Sequence, residues 1–208
     1  MEKKKIDMST WKRREHFDFF AVMDDPFYGV VANVDFTDCH SEAKADGASF
    51  FLYSLHKIMK AVNQIEEFRT RIEGNDVVLY DTIHVSPTIG REDGSFGFGY
   101  FQYYQDRDEF IRKANIEIER VKSKPGLCVG DWRICSDLVY FSAVPWITFT
   151  GLKHAKSFAK GDSVPRISTG KIFKEGGRIK MPVSLDMHHG LADGFHAGMF
   201  YRLLEEMS

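Results

Sequence analysis

The sequence of 208 residues predicts an α/β fold in which helices form a layer on a mixed β-sheet. Runs with apolar residues at helical spacing and runs with strand-like alternation both occur along the chain. They do not alternate strictly, which favours a mixed sheet over a doubly wound parallel sheet. The sequence contains neither an internal repeat nor a low-complexity linker, so we expect a single domain over residues 1–208.

In the N-terminal part, capping, periodicity and turn chemistry define the predicted elements. Ser9 and Thr10 are helix-capping residues placed before an amphipathic run. The tripeptide Gly74-Asn75-Asp76 is typical of a hairpin turn. The expected elements are a helix over Trp11–Phe20, a strand over Gly29–Phe36, a helix over Ala48–Ile65, and hairpin strands over Phe68–Ile72 and Val77–Tyr80.

The second half of the chain is richer in predicted strands. Gly176 and Gly177 indicate a turn before the last strand, which leads into a final amphipathic run. The expected elements are extended segments over Ile83–Ile89 and Phe96–Tyr104, a polar-faced helix over Asp106–Lys122, strands over Leu138–Phe149, Arg166–Phe173 and Lys180–Met187, and a helix over Phe195–Met207.

The composition argues against several function classes. Hydrophobic residues make up 43% of the chain and aromatic residues 14%, enough for a sizeable core and an aromatic-lined pocket. Lys and Arg total 28 against 30 Asp and Glu, so no nucleic-acid surface is expected. The run Lys3–Lys5 is too short for a basic arm, and we expect it to be a solvated terminus.

Cysteine usage and hydropathy point to a cytoplasmic protein. The three cysteines, Cys39, Cys128 and Cys135, are an odd number without a disulfide framework, which suits a reducing compartment. No apolar run approaches membrane-spanning length, and the N-terminus lacks an apolar signal core. We therefore expect no membrane association.

The segment VSLDMHHGLADGFHAG, residues 183–198, carries most of the functional information. A predicted strand ends at two adjacent histidines, and Asp193-Gly194 then precede the last predicted helix. A histidine held between a strand and a helix is well placed to act as a general base.

Other interpretations of the same residues remain open. Asp193 could act only as the N-cap of the last helix, and the paired histidines could be ordinary hydrogen-bonding groups. A zinc site could use His188 or His189 with Asp193 and His196. It would lack a second cluster of ligands nearby, and the cysteines have no metal-type spacing.

The motif HHxxxDG, continued here as DGFH, resembles the signature of chloramphenicol acetyltransferases. A looser HHxxxD occurs in other CoA-dependent acyltransferases and in peptide-synthetase condensation domains. Three further segments resemble the acetyltransferase family in its order and with similar spacing, so the resemblance covers nearly the whole chain. These segments are WKRREHF at Trp11–Phe17, the helix-turn-strand segment Asn63–Asp81, and SAVPWITF at Ser142–Phe149.

The resemblance implies the two-layer CoA-dependent acyltransferase fold and a homotrimer with active sites between subunits. It also implies acetyl-CoA as co-substrate, a small alcohol as acceptor, no metal, and direct transfer without an acyl-enzyme. By the same resemblance, His189 is the base and His188 faces the other way with a structural role. Arg13 pairs with Asp193 to hold the turn, and Ser142 donates to the developing oxyanion.

The acceptor pocket departs from the family pattern more than the catalytic residues do. Tyr140 replaces a small polar residue, His154 a leucine and Leu152 a phenylalanine, so an apolar wall becomes partly polar. Within the signature, Asp186 replaces a usual Gln and Gly190 a usual Ser or Ala. The pocket residues implied by the resemblance are Phe20, Tyr28, Phe96, Tyr140, Leu152, His154 and Ser168.

The sequence therefore leaves three candidate functions for this protein. The first is acetyl transfer to chloramphenicol or a related drug alcohol, and the second is the same chemistry on a different small alcohol. The third is a non-catalytic ligand-binding relative. The presence of Arg13, Ser142, His189 and Asp193 argues against the third, because a binding protein has no reason to keep all four.

Overall fold

The structure, a computed structural model, describes residues 2–130, 135–156 and 161–207. Its strands are β1 Lys3–Lys5, β2 Phe27–Asp35, β3 Thr70–Glu73, β4 Asp76–Tyr80, β5 His84–Gly90, β6 Phe96–Phe98, β7 Leu138–Val144, β8 Arg166–Gly170, β9 Phe173–Glu175 and β10 Arg178–His188. Its helices are α1 Arg14–Phe20, α2 Thr37–Ala45, α3 Phe50–Gln64, α4 Glu66–Arg69, α5 Arg107–Ser123 and α6 Gly194–Glu206.

A seven-stranded sheet forms the centre of the fold. Its order is β2-β10-β8-β7-β5-β6, and β9 pairs with β10 outside this path. Strands β5, β7 and β8 run parallel, whereas β10 is antiparallel to both β8 and β2. The prediction of a mixed sheet is therefore confirmed. A smaller sheet has the order β1-β4-β3.

Alternation along β10 separates an apolar face from a polar one. Successive side chains of a strand point to opposite faces of the sheet. Val183, Leu185 and Met187 are buried in the hydrophobic core, which also holds the inner face of α3. Ser184, Asp186 and His188 fall on the other face and are buried as well. The buried polar side chains of β10 therefore lie on the sheet face opposite the helices.

The N-terminal segment differs from its prediction in two ways. Helix α1 begins at Arg14 rather than Trp11, and Arg13 at its N-cap position makes no side-chain cap. Ser9 donates instead to Asp7, which closes a local turn before the helix. The run Lys3–Lys5 pairs its backbone with β4, although its side chains are exposed as expected.

Several boundaries differ for local reasons. Strand β7 ends at Val144 because Pro145 follows, and proline cannot donate to a ladder. Residues expected at the start of a hairpin strand form α4, so β3 begins only at Thr70. Strand β6 ends at Phe98, six residues before the predicted end at Tyr104. Strand β8 ends at Gly170, three residues before the predicted end at Phe173. Helix α2 lacks a strong apolar periodicity, and the sequence pattern did not indicate it.

Candidate active site

The turn between β10 and α6 fixes the backbone on both sides of His189. The His189 amide donates to the carbonyl oxygen of Pro26 over 2.8 Å. The amides of Leu191 and Ala192 both donate to the carbonyl oxygen of His188, over 3.0 and 3.1 Å. Because these contacts hold the main chain, the half-buried imidazole of His189 projects from a rigid support.

Two aromatic rings orient the imidazole of His189. The ring stacks on Phe20, with centroids 4.0 Å apart and planes within 6°. Tyr28 lies on it at 4.4 Å and 30°. Within the described part of the chain, Nδ1 of His189 is buried and makes no hydrogen bond. Aromatic stacking, and not a carboxylate, therefore sets the ring orientation in this chain.

His188 has a different environment from His189. It is 3% exposed, with the rings of Phe17 and Phe27 at centroid distances of 6.4 and 5.7 Å. Its Nδ1 accepts from the Gly190 amide over 3.1 Å. Burial lowers the pKa of His188 to about 4, so the ring is neutral at neutral pH. A Cβ at Gly190 would lie 3.1 Å from the Phe17 Cα, so glycine permits the close approach of α1.

Arg13 and Asp193 join the start of α1 to the turn. Nη1 of Arg13 lies 2.6 Å from Oδ2 of Asp193, and Nη2 donates to the His189 carbonyl oxygen over 3.4 Å. Burial alone would raise the pKa of Asp193. The Arg13 hydrogen bond and the charges of His196 and Arg13 outweigh it and lower that pKa to about 2.

Asp193 is also the N-cap of α6, so this residue both pairs with Arg13 and caps the helix. Its Oδ1 accepts from the Phe195 amide over 3.0 Å. His196 joins the same group, with Nδ1 at 2.8 Å from Asp193 Oδ1 and Nε2 at 3.2 Å from Glu67 Oε1. Sequence reasoning missed Glu67, because no local pattern links it to a motif more than 120 residues away.

The zinc alternative finds no support in this geometry. His196 is engaged by two carboxylates, while His188 and His189 point into separate aromatic surroundings. No group of three or more histidine, cysteine, aspartate or glutamate side chains in the described ranges is arranged to hold a metal ion.

A cavity of about 500 Å³ lies on the polar face of the sheet. We call it the Ser142 cavity. Its lining includes four of the residues implied by the resemblance, together with Ser86 and Thr88 of β5. These four residues are Phe96, Tyr140, Ser142 and His154. Leu152 instead lines a separate hollow of about 350 Å³ beside Asp186.

His154 belongs to a polar network that includes two departures from the family pattern. Its Nε2 lies 2.8 Å from Ser168 Oγ, and its Nδ1 lies 3.6 Å from Asp186 Oδ2. Asp186 in turn pairs with Lys156 over 3.2 Å, and Lys156 also contacts Asp25 over 3.3 Å. His154 therefore has a hydrogen-bond partner at Nε2. Ser168 is 1% exposed and gives its hydroxyl to this network.

Ser142 and His189 do not meet within one chain. Ser142 is level with Ser168 on β8, and Ser168 is level with Ser184 on β10. His189 lies five residues beyond Ser184. Two strand spacings and five residues along a strand place the two Cα positions roughly 19 Å apart. Phe20, Tyr28 and His189 thus form one group, and the Ser142 cavity forms another.

Comparison with known proteins identifies the fold and the family. The family model of chloramphenicol acetyltransferases matches residues 1–207. The chain belongs to this family. It is 27% identical over 204 residues to chloramphenicol acetyltransferase 2 of Escherichia coli, covering 98% of this chain and 95% of that one. With a Proteus mirabilis chloramphenicol acetyltransferase, it shares 26% identity over 97% of its length and 91% of the relative's.

Solved structures agree with the family assignment. A chloramphenicol acetyltransferase structure matches with a TM-score of 0.93 and 33% identity, over 99% of both chains. A dihydrolipoamide acetyltransferase of Azotobacter vinelandii matches with a TM-score of 0.65 and 16% identity, over 93% of this chain and 86% of that one, which shows a shared fold alone. The chain is therefore an acyltransferase with the two-layer CoA-dependent acyltransferase fold, as predicted. None of the helices in the described ranges combines the length and apolarity that crossing a membrane requires.

Proposed function

We propose that this chloramphenicol acetyltransferase family member moves an acetyl group from acetyl-CoA to a hydroxyl of chloramphenicol or a similar small alcohol. The observation that carries the proposal is the rigidly supported His189, whose imidazole is stacked between Phe20 and Tyr28. We further propose a cytoplasmic homotrimer built from one domain over residues 1–208, on the strength of the family.

His189 is the general base of the proposed reaction. Nε2 is the base atom, because Nδ1 is enclosed by the chain. Nε2 takes the proton of the acceptor hydroxyl while that oxygen attacks the thioester carbonyl carbon. The C–S bond then breaks, the carbonyl re-forms, and the CoA thiolate takes the proton from the imidazolium. Transfer is direct, so no acyl-enzyme forms.

Ser142 is the donor to the oxyanion of the tetrahedral intermediate. Removal of one such donor typically costs about 3 kcal/mol of transition-state stabilisation. Since Ser142 and His189 lie roughly 19 Å apart within a chain, we propose that Ser142 of one subunit serves His189 of its neighbour. Arg13 and Asp193 are positioning residues that hold the His189 turn.

A second candidate acceptor is a different small alcohol. The His154–Ser168 contact favours this alternative, because it places a polar network beside the cavity where the family pattern expects an apolar wall. The chemistry and the roles of His189 and Ser142 are the same in both cases.

Release of the CoA thiol measures the proposed activity directly. Acetyl-CoA turnover is followed with a thiol reagent, with and without chloramphenicol and across a panel of small alcohols. Chloramphenicol-dependent release supports the first acceptor, and release only with another alcohol supports the second. Absence of acceptor-dependent release across the panel would contradict the enzymatic proposal.

A further inference from the structure

Ser86 is a buried serine whose hydroxyl has no partner within the described part of the chain. It lies on β5, is 2% exposed, and lines the Ser142 cavity. It was not among the residues that the sequence motifs singled out. Its position on a sheet strand gives no local signal of function.

At least two other buried serines have partners. Ser168 contacts His154, and Ser163 accepts from the Ile72 amide over 2.8 Å. A buried hydroxyl without a hydrogen bond costs roughly 1–3 kcal/mol relative to one that is satisfied. Alanine at position 86 would avoid that cost on a strand of this sheet. No group in the described part of the chain offsets this cost, and the adjoining cavity is where a partner for the hydroxyl would enter.

The strand register gives the separation between Ser86 and the proposed oxyanion donor. Ser86 is level with Tyr140 on the parallel strand β7. Ser142 follows two residues later and so points to the same face. One strand spacing and two residues of rise place the two Cα atoms roughly 8 Å apart. An acceptor whose reacting end lies beside Ser142 can therefore reach Ser86 with its far end.

The other residues that line the Ser142 cavity indicate the chemical character of the molecule that it would bind. Phe96, Phe98 and Val129 line the same cavity and present apolar surface. Arg166 also lines it, but its guanidinium is paired with Asp162 over 2.5 Å. The cavity thus lacks a free charge among its described lining residues, which suits a neutral hydrogen-bonding group at the Ser86 end.

We propose that Ser86 is a specificity-determining residue that hydrogen-bonds a neutral polar group of the acceptor, with its Cα roughly 8 Å from that of the proposed oxyanion donor Ser142. The acceptor class is a small alcohol with a flat apolar body and a polar group at its far end. This inference rests on the proposed function, because it takes the Ser142 cavity as the acceptor site.

Binding of two matched probes, measured by calorimetry without acetyl-CoA, tests the inference. The probes are chloramphenicol, which carries a para-nitro group, and its analogue with hydrogen in that place. We expect Ser86→Ala to weaken chloramphenicol binding about 3- to 10-fold and to leave the analogue unchanged. Ser86→Thr, which keeps a hydroxyl, should bind like the wild type. Ser184→Ala removes another buried serine hydroxyl on the same sheet face, outside this cavity, and should change neither affinity.

Thermal stability separates binding from a structural role. Because Ser86→Ala removes an unpaired buried hydroxyl, its Tm should equal or exceed that of the wild type. A lower Tm of Ser86→Ala, with both probes bound as tightly as by the wild type, would mean that the hydroxyl serves the fold, for example through a buried water. That result would overturn the inference. Equal weakening of both probes, or no chloramphenicol binding by the wild type, would overturn it too. A wild type that binds chloramphenicol without acetylating it would contradict the proposed function alone.

Discussion

Nη1 of Arg13 lies 2.6 Å from Oδ2 of Asp193, a residue 180 positions later in the sequence. The two side chains are 13% and 29% exposed. Because Arg13 also donates to the His189 carbonyl oxygen, this pair connects helix α1 to the turn that carries the proposed base. The pair can therefore influence activity without touching a substrate.

Arg13→Met and Asp193→Asn should each lower both activity and the free energy of unfolding. Loss of one partner from a buried pair costs about 3–5 kcal/mol, and partial exposure places the expected loss at the lower end. The double variant should lose less than the sum of the single losses, as urea titrations would measure. Strictly additive losses would show that the two groups act independently.

The pKa of Asp193 also predicts acid sensitivity. Its folded value of about 2 lies below the ordinary value of 3.8. The stability that it contributes is present above about pH 4 and is lost as the pH falls through 2. Unfolding measured from pH 5 to pH 2 should show this loss in the wild type and a smaller one in Asp193→Asn. Identical curves would contradict the assignment.

His196 predicts a pH effect of opposite sign. Burial lowers its pKa, but the Glu67 hydrogen bond and the charges of Glu67 and Asp193 outweigh burial and raise it, against the smaller effect of Arg13. The stabilising contribution is complete below about pH 6.5 and is lost as the pH rises through the raised value. His196→Gln, which cannot titrate, should show a smaller fall in unfolding free energy between pH 6 and pH 9.

His189→Ala should reduce acetyl transfer at least ~100-fold, because general-base catalysis contributes that much or more. The fold should survive, since the ring only stacks on Phe20 and Tyr28. His188→Ala should mainly lower Tm, because it removes a 3%-exposed side chain that accepts from the Gly190 amide. Lost chemistry in the His188 variant with retained chemistry in the His189 variant would reverse this assignment.

Shared active sites predict complementation between inactive variants. His189→Ala and Ser142→Ala subunits, mixed under conditions that allow subunit exchange, should regain activity, because some sites then combine an intact His189 with an intact Ser142. Each variant alone, treated identically, is the control. A monomer by sedimentation at micromolar concentration would rule out the proposed trimer.

The network around His154 predicts a high KM for chloramphenicol. His154→Leu combined with Asp186→Gln restores the residues of the family pattern at both positions and should lower KM, with kcat little changed. His154→Leu alone should be less stable than the wild type, because it leaves Ser168 without its contact. Leu152→Phe is the comparison, since Leu152 lines the separate hollow and should affect KM less. A wild-type KM as low as that of an efficient family member would contradict this view of the pocket.

The sequence predicted the sheet class and most elements because alternation and helical spacing are local signals. Pro145 in a run of strand-forming residues marked the end of β7, but the apolar residues beyond it resembled further strand. Helix α2 gave no such signal. At the site, the motif located Asp193 but not Glu67, because a contact between distant segments leaves no trace in local spacing. Ser86 was missed for a related reason, since an unpaired hydroxyl is recognised only when its surroundings are known.

The position of β10 between β2 and β8 has a consequence for biosynthesis. Among the strands of the described chain, β10 leaves the ribosome last, yet it separates two strands made earlier. Strand β8 is made shortly before β10, but β2 has no β10 partner until residues 178–188 emerge, and pairing across that sequence separation is slow. The nascent chain therefore exposes the open edge of β2 for most of its synthesis, which makes this interval the one in which aggregation competes with folding.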